Sequence, residues 1–302
     1  MSENPSGILI ILGIIAIALF GGVKGAGNNG LISMGISTPE QKQQYQTNNQ
    51  TIDISQQIQN AKTQIDNLKI QLQTAEDAKT QSKYKGQVRI SYVNRSNNSS
   101  QEYVAIYGSG AGKEAISVSG WALRGLNGGT NTNIPKATIL FFAGVPNAED
   151  NIYLSPGETL YLVTGISPNG ASFKTNKCSG YLGQFQTFVP YLSSNCPLPR
   201  DEDLSSIPKT NSNDGCFDYI DSMPSCRIQT ETPTKYLGAE CNNFISQKIN
   251  YSACVNTHRN DSNFYGNEWR IYLKRGQSIW KDRKETIVLY DNEGKMVDSL
   301  SY

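Results

Sequence analysis

The stretch Ile287–Tyr302, IVLYDNEGKMVDSLSY, decides how the folded part of this chain is read. Ile287, Leu289 and Tyr290 lie in an apolar run, Asp291 to Lys295 supply turn residues, and Met296 to Tyr302 resume a strand-like pattern, so the spacing predicts a β-hairpin. A strand this late must complete a sheet whose first members lie far upstream. Working back from it, the segments GQVRISYVN (Gly86–Asn94), EYVAIYG (Glu102–Gly108), SGWALRG (Ser119–Gly125), ATILFFAG (Ala137–Gly144), NIYLSPGETLYLVTG (Asn151–Gly165) and EWRIYLKRG (Glu268–Gly276) read as short strands bounded by Gly, Pro or Asn. Many short strands without intervening amphipathic helices predict a mainly β head over 86–302, built as a β-sandwich.

Upstream of the head the composition changes twice. Ile8–Val23 is uncharged and almost wholly aliphatic. At about 1.5 Å per residue it spans about 24 Å, enough to cross a hydrocarbon core of roughly 30 Å with local thinning. Only the α-amine and Glu3 precede it, whereas a secretory signal calls for Lys or Arg, so residues 1–23 are read as an uncleaved transmembrane anchor. A cleaved signal peptide is the alternative. Lys24 beyond the span draws that end toward the cytoplasm by the positive-inside rule, while the cysteines described below draw it outside. Residues 24–50, rich in Gly, Ser, Thr, Asn and Gln, read as a flexible tether. In 51–82, Thr51, Ile54, Ile58, Ala61, Ile65, Leu68, Leu72 and Ala75 recur at alternating spacings of three and four, the seam of a coiled-coil stalk and a route to homo-oligomers. A single amphipathic helix lying on its own domain is the other reading of the same pattern.

The head carries a resemblance in the order of its segments. VRISYVN, EYVAIYG, SGWALRG, LSPGETLYLV, a Trp-containing late strand and the terminal hairpin, with Glu102-Tyr103, Gly120-Trp121, Pro156-Gly157 and Val297-Asp298 at the matching positions, resemble the lamin-tail domain. That domain is an immunoglobulin-like sandwich of nuclear lamins and of many bacterial surface and secreted proteins. The composite of anchor, cysteine-rich insert and terminal lamin-tail strand is similar to proteins of small uncultured bacteria. The resemblance implies a surface module and carries no catalytic residue. A long insertion, 173–267, departs from it.

That insertion holds Cys178, Cys196, Cys216, Cys226, Cys241 and Cys254, all the cysteines of the chain. An even number, clustered and without a CxxC pair, points to disulfides in an oxidising compartment. CFDYIDSMPSC (Cys216–Cys226) and CNNFISQKINYSAC (Cys241–Cys254) echo each other and read as two short helices. Either each closes on itself through Cys216–Cys226 and Cys241–Cys254, or, preferably, the two pair antiparallel through Cys216–Cys254 and Cys226–Cys241. In the second case Cys178 pairs with Cys196.

Tests for chemistry return little. With 27 basic and 26 acidic residues the net charge is +1, so no overall field recruits nucleic acid. His258 is the one histidine and lies four residues after Cys254, a spacing that can set two ligands on one helical face. A zinc or thiol hydrolase built on Cys254 and His258 is therefore the enzymatic rival, but the close Cys pairs of zinc sites and a G-x-S-x-G elbow are both absent. GSGAGKEA (Gly108–Ala115) is too short for a phosphate loop and puts Glu114 where a Ser or Thr would hold magnesium. No cofactor is expected. Arg270, Tyr272, Lys274, Arg275, Lys281 and Arg283 form a candidate basic-aromatic binding patch for an extracellular protein or a cell-wall polymer, with Arg270, Tyr272 and Lys274 alternating outward from Ile271 and Leu273. The expectation is a single-pass membrane protein with its C-terminal head at the cell surface, binding rather than catalysing.

Overall fold

The computed structural model describes residues 48–110, 114–231 and 237–302. The anchor and nearly all of the tether lie outside them; among the described residues no helix is long and apolar enough to cross a membrane. The chain divides into two units, 1–62 and 63–302. Helix α1 (Asn48–Thr80) begins in the first, and its residues from Thr63 onward belong to the second. Ile65, Leu68 and Leu72 are 51%, 48% and 64% exposed, so the head leaves the apolar stripe of its own helix uncovered.

From α1 the chain passes directly into the head. Gln81 bridges Met296, Ser82 N–H donates to the Met296 carbonyl at 2.8 Å, and Tyr84 stacks on Trp121 with centroids 5.3 Å apart. The strands follow as β1 (Val88–Asn94), β2 (Tyr103–Gly108), β3 (Ile116–Ser117), β4 (Ala122–Gly125), β5 (Asn131–Asn133), β6 (Tyr153–Leu154), β7 (Thr159–Val163) and β8 (Phe173–Asn176). Helices α2 (Asp214–Ser222), α3 (Ala239–Lys248) and α4 (Tyr251–His258) come next, then β9 (Tyr265–Tyr272), β10 (Thr286–Tyr290) and β11 (Met296–Ser301). One sheet runs β1-β2-β7-β9-β8, a second β11-β10-β4-β5, and β3 pairs with β6. All the pairings are antiparallel except β7 with β9.

The terminal hairpin closes the second sheet and joins it to the first. Ile287, Leu289 and Val297 share one core with Val88, Ile90, Ile106, Leu160, Leu162, Trp269 and Ile271 of the five-stranded sheet. At the edge, the Asp298 carboxylate of β11 accepts the Ile90 N–H of β1 at 2.7 Å, and the β1–β2 register slips at the same place, between Ile90 and Tyr92. A bulge frees an N–H from its ladder, and here a side chain from the opposite sheet takes it.

The outer face of the five-stranded sheet is covered as well. A second core of Phe141, Val163, Phe173, Phe188, Ile220, Phe244, Val255, Phe264 and Tyr272 packs the insertion against β7, β8 and β9. Strand β9 is consequently buried without alternation from Trp269 to Tyr272, as expected of a strand covered on both faces.

Several expectations need correction. Among the described residues strand makes up about 24% and helix about 26%, α1 being the longest helix, so the described chain is mixed and sheet-rich where a mainly β fold was expected. ATILFFAG forms no strand; Ala137 and Thr138 make isolated bridges, and Phe141 turns into the insertion core. Cys241–Cys254 is two helices, because Asn250 starts a new one by accepting the Ala253 N–H at 2.9 Å. The helix containing Cys216 stops at Ser222, as Pro224 forces the preceding residue out of helical geometry.

Two buried carboxylates organise one end of the head. Glu102, fully buried, accepts the Thr164 hydroxyl at 2.6 Å and the backbone N–H groups of Ile279 and Trp280 at 2.9 and 3.2 Å. Glu285, equally buried, accepts the Asn127 and Thr286 N–H groups, each at 2.9 Å. Glu102 thus pins the β9–β10 loop to β2 and β7. Glu102→Ala leaves two buried donors and one part-buried donor without an acceptor and is expected to lower unfolding stability by about 3 kcal/mol, read as a lower urea midpoint; an unchanged midpoint would show that the loop is held by other means.

Candidate functional site

All six cysteines are oxidised, but none of the anticipated pairings occurs. The bonds are Cys178–Cys254, Cys196–Cys226 and Cys216–Cys241, separated by 76, 30 and 25 residues. The first encloses the other two, and those two overlap. In the chain-entropy view, loops of these lengths stabilise by about 3.5 to 4.5 kcal/mol each. The pairing follows from packing rather than helix symmetry. Cys226 lies beyond the end of α2 at φ 58° against Gly180, where an added Cβ would fall 2.3 Å from its sulfur. Cys178 leads out of β8 toward α4.

The predicted binding patch is divided by this arrangement. Arg270 and Tyr272 are 1% and 3% exposed and do not belong to any surface; the alternation that was to point them at solvent points them into the insertion. Arg270 donates to the Pro190 carbonyl at 2.7 Å, the Tyr191 carbonyl at 3.2 Å and Glu268 at 2.6 Å, and its guanidinium lies 4.6 Å from the Tyr161 ring centroid. Such a desolvated cation is tolerable because both terminal nitrogens are answered, one of them by a carboxylate, while Nε alone is buried without a partner. Arg270 therefore clamps the 190–191 loop onto the sheet.

Lys274, Arg275, Lys281 and Arg283 remain exposed, and the β9–β10 loop gathers them at one end of the head with Lys284. Arg95 joins them from the β1–β2 loop, donating to the Asp282 carbonyl, and Lys281 donates to the Asn127 carbonyl of the β4–β5 loop. The backbone N–H groups of Lys274 and Arg275 bond Gly165 and Thr164 at 3.0 and 2.8 Å. Lys274 and Lys284 adopt positive φ of 57° and 54°, a left-handed geometry that is uncommon outside glycine. Among the described residues, none of these six cations has a carboxylate partner within ion-pair distance; the acids at this end are exposed Asp282 and buried Glu102 and Glu285. Arg95 had no local signal, because only the topology brings the β1–β2 and β9–β10 loops to one end.

Cys254 and His258 do share α4, but they make no reactive pair. The Cys254 sulfur is bonded to Cys178, and both His258 ring nitrogens are engaged, Nδ1 with Asp261 at 2.9 Å and Nε2 with Glu202 at 3.0 Å. Lys177 holds Asp261 from the other side at 2.7 Å. Burial lowers the His258 pKa, but the hydrogen bonds and charges of Glu202 and Asp261 outweigh it and leave the pKa above its usual 6.5. A raised folded-state pKa stabilises fully below about pH 6.5 and loses that contribution as pH rises through the folded value. His258→Gln is therefore expected to cost most stability near pH 5.5 and progressively less above neutrality, measured by urea unfolding from pH 5 to 9. A cost independent of pH would mean that imidazolium plays no part.

No family model matches this chain, and a search of curated proteins returned no match.

Proposed function

We propose that the chain is a membrane-anchored, cell-surface binding module without enzymatic chemistry, its head an immunoglobulin-like β-sandwich of the lamin-tail type. The observation that carries this reading is the insertion's three disulfides, which hold most of its chain between 178 and 254 against the sheet. Such a framework persists in oxidising surroundings and favours placing the head outside the membrane despite Lys24. The two sheets around a shared core support the sandwich. A hydrolase on Cys254 and His258 loses support, since the sulfur is not a thiol and the imidazole is already paired.

The binding surface in this reading is the basic loop end, whose cations outnumber the acids there and are unpaired, which suits a polyanionic cell-wall polymer or an acidic protein. Dextran sulfate is a direct probe. The full-length oxidised chain is expected to bind it with an affinity that falls as salt rises, and the combined K274A, R275A and R283A variant to bind at least about tenfold more weakly. Equal binding by parent and variant would end the case for this surface.

The bare stripe on α1 favours a second role within the same class, a subunit of an oligomeric surface assembly. Ile58, Ile65 and Leu72 occupy a positions, and Gln50, Gln57, Gln64 and Gln71 fall at g. A parallel pairing then sets glutamine against Lys62, Lys69 or Glu76 at e, with no like-charge clash, whereas a fully overlapped antiparallel pairing opposes Lys62 and Lys69. Light scattering of the detergent-solubilised chain is expected to show an oligomer that dissociates when Ile58, Ile65 and Leu72 are replaced by Gln; a monomeric parent would refute the stalk.

A further inference from the structure

We infer that the cleft where the insertion meets the start of β9 is a second binding site, for a neutral, hydroxyl-rich oligosaccharide. The cleft has a volume of about 330 Å³, within the roughly 300–1,000 Å³ range of small-ligand sites. It lies at the N-terminal end of β9, and the basic loop follows the C-terminal end. The strand's own rise, about 3.3 Å per residue, separates the two by about 23 Å. The inference therefore goes beyond the basic surface and does not depend on it.

The floor is polar and fixed. Thr175 and Ser179 are buried there; Thr175 donates to the Glu268 carbonyl at 3.1 Å, and the Ser179 hydroxyl accepts the Asn176 N–H at 2.8 Å. Gly266 allows this approach, since a Cβ at that position would fall 2.5 Å from the Thr175 hydroxyl oxygen. The walls carry three exposed amides, Asn195 from the insertion and Asn263 and Asn267 from the two sides of Tyr265. Among the described residues, none of the three side chains has an internal hydrogen-bond partner. Tyr265 is 45% exposed; its ring makes an edge contact with Phe264, centroids 5.1 Å apart, and the Lys174 ammonium lies 5.9 Å from its centroid.

Charge and shape select the ligand class. Lys177 at the rim is paired with Asp261 at 2.7 Å, and Glu268 with Arg270 at 2.6 Å. The cleft therefore offers no unpaired cation to phosphate, sulfate or uronate. An amide presents a donor and an acceptor side by side, and adjacent sugar hydroxyls present the same combination in return. A part-exposed phenol ring supplies a flat apolar face with a polar tip, suited to the C–H face of a pyranose. The only large apolar surface in the lining besides buried Phe264 is that ring, so a peptide would find little to hold its side chains. The site is also preorganised by the disulfides: Cys196, bonded to Cys226, directly follows Asn195, and Cys178, bonded to Cys254, lies between Thr175 and Ser179 of the floor.

Calorimetric titration of the full-length oxidised chain with cellohexaose, maltohexaose, mannohexaose and chitohexaose tests the assignment. At least one is expected to bind. Tyr265→Ala and Asn267→Ala should each weaken that binding by about tenfold, Tyr265→Phe should preserve it, and the K274A, R275A and R283A variant should bind as the parent does. Non-reducing mass and near-ultraviolet circular dichroism establish that each variant is folded; Tyr265→Phe and Asn267→Ala alter exposed groups and keep the test open should Tyr265→Ala misfold. Failure of all four sugars to bind, equal binding by Asn267→Ala and the parent, or loss confined to the basic-loop variant would overturn the assignment. The dextran sulfate result stands or falls separately.

Discussion

The second half of strand β9, Trp269–Tyr272, is buried on both faces, and the rest of the head is arranged around that constraint. Trp269 and Ile271 enter the core between the two sheets, while Arg270 and Tyr272 face the insertion. An apolar residue would be the simple occupant of a position covered on both sides. The chain places a guanidinium there and answers it with two loop carbonyls, a carboxylate and a tyrosine ring. The contact is directional, so it fixes where the 190–191 loop lies, which dispersion between aliphatic groups alone would do less sharply.

The second consequence is a division of means between the two cores. Between the sheets the filling is conventional, with Trp121, Leu123, Leu160, Leu162 and Ile287 nearly inaccessible. In the insertion, helices of 9, 10 and 8 residues are too short to be stable alone in water, and all six sulfurs are part of the core itself. The crosslinks lower the entropy of the unfolded insertion while their sulfurs serve as packing. Reducing surroundings would remove the crosslinks and leave only the packing of the six thiols, so the cover over β9 is tied to the redox state of its compartment.

How far the sequence could be read follows from the range of the interactions. The hairpin from Thr286 to Ser301, and β1, β2 and β7, announce themselves through alternation and turn residues, because those signals are local. Arg270 and Tyr272 could not be assigned to the inside from alternation. Period two says which residues share a face, and it is silent on whether a segment 80 residues away covers that face. The disulfides show the same limit: six cysteines admit fifteen connectivities, and the echo between the Cys216 and Cys241 segments was broken by Pro224 and by Asn250, each a strong local punctuator. Composition correctly marked the cysteines as crosslinked, and packing decided the partners.

The two ends of β9 also show why a basic patch and a polar cleft arise from one strand. Toward its C-terminal end the strand emerges into a loop pinned from beneath by Glu102 and Glu285, whose carboxylates accept backbone N–H groups, Glu285 through one oxygen only. These acids hold the loop through hydrogen bonds and are not paired with its lysines and arginines, so the cations stay unpaired at the surface. Toward its N-terminal end, Lys177 and Glu268 are each neutralised by a neighbour, Asp261 and Arg270, leaving amides as the exposed groups. The contrast in chemistry therefore originates in where the buried partners sit. At one end they grip backbone and release charge to the surface; at the other they consume charge and leave only dipoles.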